Sequence, residues 1–593
     1  MKNKKVIISL TLIMIVGAVL RFYKLDWGQG LFTHPDEYYI VISANQLSFP
    51  NQMNPHFFNY GTFSIYLNYF TQQLLQLVTL DQQIASSAYN LSPFLIGRFY
   101  SALFSTLTIP LIYLISLTFF NKKYSLLAAA LVALTPGLIQ QAHFLTPESN
   151  LIFFIFLSLT FLLYFVKQKK SLFLILSSAS LGLALGVKIS SAVLFLPILL
   201  GIFLASPSAS WRTIPKIISR IILSLFIILV TLFIIDPYLF LDFSSFLSSF
   251  KYESALAIGT IPVFYTRQFI NTVPVLFQFE KIYPYALGPA LLVFGIAGFL
   301  AMCLSIFRQC HCHPAPLSVI PGLTRDPEYN NLDSCPSVLR PSGSKDFRRN
   351  DKNTTLVFLF IILNSTFLIL FLSNAFLFAK WTRFISPTFP FFAIFSAFLL
   401  FKISQFKINK YFSLILKDHR IASFAYSSFL ILTILWTLSY FSIYLKNDVR
   451  LQASNWIAQN LTPGTVFLEE GNMVDIPLPE NFKRLSLNFY DLDENILSQQ
   501  KLKEDLEKSD YFIIQSRRIF ANHQRLAEDF PVTANFYNQL FADLLEFTEI
   551  KEINSYPQLN LLGWKIDFPD EVAEETWSVF DHPVIRIFQK NVK

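Results

Sequence analysis

Long, almost purely apolar runs alternate along this chain with short polar breaks. Eleven can be drawn: 6–20, about 97–120, 124–142, 150–166, 171–187, 189–205, 217–235, 286–307, 354–376, 384–401 and 421–444. About 20 apolar residues in a helix cover the roughly 30 Å of bilayer hydrocarbon, so each run predicts a spanning helix; the two flanking Lys188 are short for it. A twelfth stretch, 61–80, is only partly apolar and reads as an interfacial or re-entrant helix. Beyond Lys446 the texture changes. A helical pattern over 448–460 precedes strand-like pieces at 465–469 and 511–515, a helix over 522–547 and a terminal strand at 584–588. The expected architecture is a polytopic α-helical membrane part, residues 1–445, followed by a soluble α/β domain, 446–593.

Composition supports this division. The 593 residues are 53% hydrophobic and 15% charged, with a mean hydropathy of +0.46. Soluble domains carry about 25% charged residues, so an ordinary soluble protein is excluded. Four cysteines exclude a disulfide scaffold. The charge is unevenly placed: residues 446–593 hold 15 basic and 24 acidic side chains, and the first 445 hold 32 and 15, a net of +17. The basic residues fall between the apolar runs, at Lys122 and Lys123, 167–170, 212–220, from Arg308 onward, and 402–420. Eleven spans with a cytoplasmic N-terminus place all of them in the cytoplasm, the positive-inside pattern and not a nucleic-acid footprint. Residues 21–96, 143–149, 236–285 and the tail then face outward, as do the link at Lys188 and the turn at 380–383. The tail is expected to be extracytoplasmic.

Residues 308–353 are rich in Pro, Ser, Arg and Asn without periodicity, and read as a disordered cytoplasmic insertion. Their Cys310-His311-Cys312-His313 run lacks the spacing and second pair that zinc requires; only Cys335 is nearby. The tail shows no glycine-rich phosphate loop and no metal-ligand spacing.

Chemistry concentrates just beyond the first span, in Thr33-His34-Pro35-Asp36-Glu37-Tyr38-Tyr39. Two of the 15 acidic residues of the membrane part are adjacent here. Such a pair can divide labour, one carboxylate as general base and the other orienting a cation or metal. A solvated turn is the competing reading, since Pro-Asp is common turn chemistry.

An Asp-Glu pair in the first outer loop resembles the GT-C glycosyltransferases, and within them family 39, which includes protein O-mannosyltransferases and lipid A aminoarabinose transferases. The spelling His34-Pro35-Asp36-Glu37 is similar to bacterial lipid-carrier-dependent glycosyltransferases. His143-Phe144-Leu145-Thr146-Pro147-Glu148 resembles that family's second acidic site, with Glu where Asp is usual. Gly182-Leu183-Ala184-Leu185-Gly186-Val187-Lys188 resembles its Gly-rich span ending in Lys, and Lys380-Trp381-Thr382-Arg383-Phe384-Ile385-Ser386-Pro387 a late Lys-x-x-Arg-aromatic element. Where relatives carry Lys-Pro-Pro after the first loop, this chain has Phe58-Asn59-Tyr60-Gly61-Thr62.

The resemblance implies an enzyme of the bacterial plasma membrane. It would transfer a sugar, with inversion, from a polyprenyl-phosphate donor to an extracytoplasmic acceptor. Asp36 and Glu37 would be catalytic, with Asp36 as base and Glu37 in support. Lys188, Lys380 and Arg383 would hold the donor phosphate, and His143 and Glu148 would form a second acidic site. A divalent cation is left open. A transporter or flippase is the alternative from another class, but inverted repeats and midplane charges are missing and the charges gather at one face. An inactive scaffold on the same fold is the other alternative; the intact Asp36-Glu37 pair argues against it.

Overall fold

The computed structural model describes residues 2–78, 92–206, 213–311, 344–405, 419–470, 474–561 and 563–591. Among these, eight helices are long and apolar enough to cross a membrane: α1 (Lys2–Phe22), α4 (Pro93–Ser116), α7 (Glu148–Gln168), α10 (Ile214–Ile235), α12 (Pro289–His311), α13 (Ser344–Ala375), the stretch Thr382–Gln405 and α16 (His419–Leu445). A further apolar pair is bent at its middle, as a broken span or a re-entrant loop would be. α5 (Lys122–Ala133) and α6 (Pro136–His143) meet at 50°, because Pro136 lacks the N–H that would continue the ladder. The two short runs around Lys188 are separate helices, α8 (Ser171–Val187) and a 3-10 turn Ile189–Leu194 leading into α9 (Phe195–Leu204). By length they fall short of full crossings, so the expected eleven spans are not all reached. Thr382–Gln405 is likewise composite, with α14 (Thr382–Ile385) ahead of α15 (Phe389–Gln405).

The most deeply packed of these are α7 and the stretch Thr382–Gln405, with 78% and 83% of their apolar windows buried, whereas α1 and α10 bury 17% each and turn most of their surface outward. Helices buried all round need no amphipathic stripe. Between the spans, α2 (Pro35–Asn45) packs on α3 (Phe63–Val78) through Ile40, Val41, Ala44, Ile65 and Tyr69. α3 is the partly apolar stretch read as interfacial.

The expected insertion 308–353 is narrower than its composition suggests, because α12 runs to His311 and α13 starts at Ser344. The rest of it, including Cys312, His313 and Cys335, lies outside the described residues.

The tail opens with α17 (Val449–Asn460) and builds a five-stranded sheet ordered β2-β1-β3-β7-β4. β1 (Thr465–Glu470) pairs in parallel with β2 (Lys483–Asn488) and β3 (Tyr511–Ile514); β7 (Ile585–Lys590) is antiparallel to β3 and β4 (Phe547–Ile553). The helix expected over 522–547 is two pieces, Phe520–Arg525 and Pro531–Phe541, divided at Pro531. Its last residue already belongs to β4. A two-stranded hairpin of β5 (Gln558–Leu561) and β6 (Trp564–Asp567) stands apart from the main sheet.

Candidate active site

The Asp36-Glu37 pair opens α2. His34 is its N-cap: Nδ1 accepts the Asp36 N–H at 3.1 Å, and the Glu37 carboxylate accepts the N–H groups of Thr33 (3.1 Å) and His34 (3.4 Å). Pro35 at the first helical position is pre-set for this turn. The two carboxylates then part company. Glu37 is fully buried and takes Arg98 in a fork, Nε to Oε1 at 2.7 Å and Nη2 to Oε2 at 2.8 Å, while Oε1 also accepts Leu145 N–H at 2.9 Å. The Arg98 guanidinium lies 4.7 Å from the centre of the Trp27 ring. Glu37 therefore ties the first loop to α4 and to the turn before α7, and it does not face open space.

Asp36 faces a cavity of about 580 Å³. Its carboxylate is ion-paired with Nη1 of Arg383, which also approaches the Tyr60 hydroxyl at 3.4 Å; His34 Nδ1 stands 3.8 Å away. Burial by itself would raise the Asp36 pKa, but Arg383, His34 and the Tyr60 hydroxyl hold it below the ordinary aspartate value. Nε of Arg383 is buried with no hydrogen-bond partner. On the same cavity wall Lys188 reaches Glu148 at 3.1 Å and lies over the Phe384 ring at 4.4 Å. Glu148 sits in the first turn of α7, where the helix dipole favours a carboxylate, and its Oε2 is buried without a partner. Leu151 and Ile155 of α7, Val193, Leu370 and Leu377 make one part of the lining apolar; Tyr39, Phe57, Tyr60, Tyr252 and Tyr265 make another aromatic.

Two of the expected residues are elsewhere. Lys380 is buried, with Nζ donating to Thr272 Oγ1 (3.1 Å) and the Phe378 carbonyl (2.9 Å), so the late turn does not present both of its cations to the cavity. His143 stacks on Tyr444 with ring centres 3.6 Å apart, and both of its nitrogens meet backbone carbonyls, of Ile139 and Tyr23. It packs the core beside Trp27 and stands apart from Glu148.

Other residues enter unannounced. Glu253, on α11 (Phe243–Ile258) in the loop 236–285, lines the cavity and accepts a hydrogen bond from Asn59 Nδ2–H at 2.5 Å. Burial, and the nearby Asp36 charge, raise its pKa. The tail contributes Arg518, Thr576 and Phe580. Arg518 is 4% exposed, ion-paired with Glu575 at 2.8 Å, and leaves Nη1 buried without a partner. Phe580 packs on His34 with ring centres 4.5 Å apart. Glu574 accepts both the Thr382 N–H (3.0 Å) and the Thr382 hydroxyl (2.9 Å), capping the short helix that carries Arg383. The only sequence sign of these roles was the acidity of 570–581, which by itself suggests a solvated loop.

The carboxylates do not form a metal cradle. Asp36 and Glu37 are each engaged by an arginine, and among the described residues no group of three or more His, Cys, Asp or Glu side chains gathers where an ion would sit. A divalent cation therefore does not fit the arrangement of these residues.

Residues 10–252 match the family model for dolichyl-phosphate-mannose-protein mannosyltransferases. Superposition on the apo oligosaccharyltransferase of Archaeoglobus fulgidus gives a TM-score of 0.50 at 14% identity, covering 89% of this chain and 72% of that one. The chain has a GT-C-like fold. A second structure of the A. fulgidus enzyme, in complex with an inhibitory peptide and a dolichol-phosphate, aligns at a TM-score of 0.47 with 13% identity over 90% of this chain and 72% of that one. ArnT from Cupriavidus metallidurans bound to undecaprenyl phosphate aligns at 0.43 with 11% identity, over 99% and 98% of the two chains. No curated protein matches at a significant level. On this fold the spans, the loops between them and the tail all contribute walls to one cavity around Asp36.

Proposed function

We propose that this protein is a family 39-like GT-C glycosyltransferase that moves a sugar from a polyprenyl-phosphate carrier to a hydroxyl of an extracytoplasmic acceptor, with inversion at the anomeric carbon. The supporting observation is the Asp36–Arg383 pair, set in a cavity that is apolar where the spans line it and polar where the loops do. The lipid chain would lie along α7 and α13, with the phosphate at Arg383 and Lys188. Acceptor oxygen bonds to the anomeric carbon, the carbon–oxygen bond to phosphate breaks, polyprenyl phosphate leaves with the bonding pair, and the hydroxyl proton passes to Asp36. Phosphate is a good leaving group, so two fixed cations serve it better than an acid would. Arriving phosphate competes with Asp36 for Arg383. Losing that partner raises the basicity of Asp36 when an acceptor must be deprotonated. Glu37 supports the reaction by holding the loop and not by binding a cation, and Lys380 by packing the turn. The membrane is taken as bacterial, with the N-terminus inside and the tail outside.

Asp36→Asn keeps size and hydrogen bonding but removes the base. Transfer of label from a polyprenyl-phosphate sugar to envelope acceptors in membrane vesicles should fall by about 10²–10⁴-fold, the usual worth of general-base assistance. Binding of the lipid donor by the purified variant should be retained or tightened, because a neutral Asn no longer competes with phosphate for Arg383. Wild-type transfer by Asp36→Asn would move the base elsewhere, with Glu253 the next carboxylate on the cavity wall.

A further inference from the structure

The hairpin β5–β6 has a face that no other described residue covers beyond Leu559. Its register pairs Leu559 with Ile566 and Leu561 with Trp564 on one face, and Gln558 with Asp567 and Asn560 with Lys565 on the other. One face is thus wholly apolar, the other wholly polar and carrying a Lys565–Asp567 ion pair of 2.9 Å. Gly563, at a φ of +86°, makes the reversal between the strands without the strain a side chain would bring. On the apolar face only Leu559 is packed: Trp564 is 77% exposed, Ile566 45% and Leu561 44%. A lone two-stranded hairpin showing such a face to water is marginal at best.

Its position identifies what covers that face. The base is closed by Phe568 N–H to Pro557 O at 2.8 Å and strapped to α16. Gln558 N–H donates to Ser442 Oγ at 3.0 Å, and the Phe568 ring meets the edge of Trp436 at 5.7 Å. Both anchor points lie inside the apolar span Phe424–Leu445. Trp436 is nine residues before its outer end, about 13 Å along the axis at 1.5 Å per residue. The same span leaves Leu438 47% and Leu445 56% exposed. The uncovered hairpin face is therefore continuous in level with a surface that must meet lipid. A Trp beside a Lys is the pairing that membrane interfaces favour, ring at the headgroup level and ammonium toward water.

We propose that β5–β6 is a membrane-interface anchor: the soluble tail dips Leu561, Trp564 and Ile566 into the outer leaflet. The partner is the bilayer itself. Chain order gives the anchor a use, since the strand Trp564–Asp567 runs directly into the segment that supplies Glu574, Thr576 and Phe580 to the cavity. The inference needs only the membrane spans and stands whether or not the protein transfers sugar.

The test uses the full chain in phosphatidylcholine–phosphatidylglycerol vesicles, with and without brominated acyl chains. The fluorescence that distinguishes wild type from Trp564→Phe should lose at least half its intensity to brominated lipid and little to aqueous iodide. Moving the reporter in that background separates the two faces: Ile566→Trp should be quenched by brominated lipid at least twice as strongly as Lys565→Trp. Emission reached by iodide and untouched by bromine would overturn the proposal, as would equal quenching of the two faces. Protection from both quenchers that disappears on dilution into excess lipid would assign the face to a second copy of the chain.

Discussion

Glu37→Gln separates a positioning role from a ligand-binding one. The carboxylate accepts five N–H groups, two from Arg98 and one each from the backbones of Thr33, His34 and Leu145, and both partners of the ion pair are fully buried. Glutamine keeps one acceptor oxygen and turns an NH₂ toward N–H donors; Arg98 Nη2 keeps Thr33 Oγ1 at 2.9 Å as a second acceptor, but the carboxylate's charge is gone. The Arg98 guanidinium is left buried without a counter-charge, and breaking a buried pair in this way costs about 3–5 kcal/mol. Arg98→Met in the same chain removes the stranded charge, so the double variant should recover much of the loss and give a coupling of at least about 2 kcal/mol in a double-mutant cycle. Reversible unfolding in mixed micelles, read by tryptophan fluorescence, measures both. A Glu37→Gln variant within about 1 kcal/mol of wild type but with weakened lipid-donor binding would refute the reasoning, because Glu37 would then be touching ligand.

Two further outcomes are expected. A base at Asp36 must be ionised, so under the proposed mechanism transfer should decline as pH falls through its pKa; because Arg383 helps hold that pKa low, Arg383→Gln should move the acid limb of kcat/KM to higher pH, and an unmoved limb would uncouple the pair from the chemistry. His582 is buried between Asp570 (2.9 Å) and Asp581 (3.4 Å); burial pushes its pKa down, but the two carboxylates outweigh it and lift it to about 10. A folded-state pKa above the ordinary 6.5 gives stability that is fully present below about pH 6.5 and lost as pH rises through 10. Limited proteolysis of the tail should therefore accelerate above pH 10 in wild type and much less so in His582→Phe.

The spans were legible because hydropathy reports lipid exposure directly, and Asp36-Glu37 stood out because charges are scarce in that setting. What separated the two carboxylates was not legible. Neighbours on a helix point about 100° apart, and only the packing of α4 and α14 decides that one meets Arg98 and the other Arg383. The same holds for Lys380 and Arg383, which share a turn yet face different surroundings. Glu253, Arg518 and Phe580 reach the cavity across hundreds of residues, and no local pattern encodes such a meeting. In the tail, β1, β3 and β7 showed as buried apolar runs. β4, Phe547–Ile553, was not anticipated, because it is buried only at its ends and carries no apolar run.

The cap that Glu574 places on Thr382 has a consequence for biosynthesis. The helix that aims Arg383 at Asp36 lacks one of its N-terminal partners until a segment about 190 residues downstream has been made and delivered to the same face. At about 5–20 residues per second, a nascent chain spends about 10–40 s with its spans in place and that helix end uncapped. A chain that stalls or is clipped before Glu574 would carry Asp36 and Arg383 without the residue that seats one against the other. Truncated products left in the membrane would thus be quiet bystanders, and completion of the last few dozen residues would double as the signal that the cavity is ready for use.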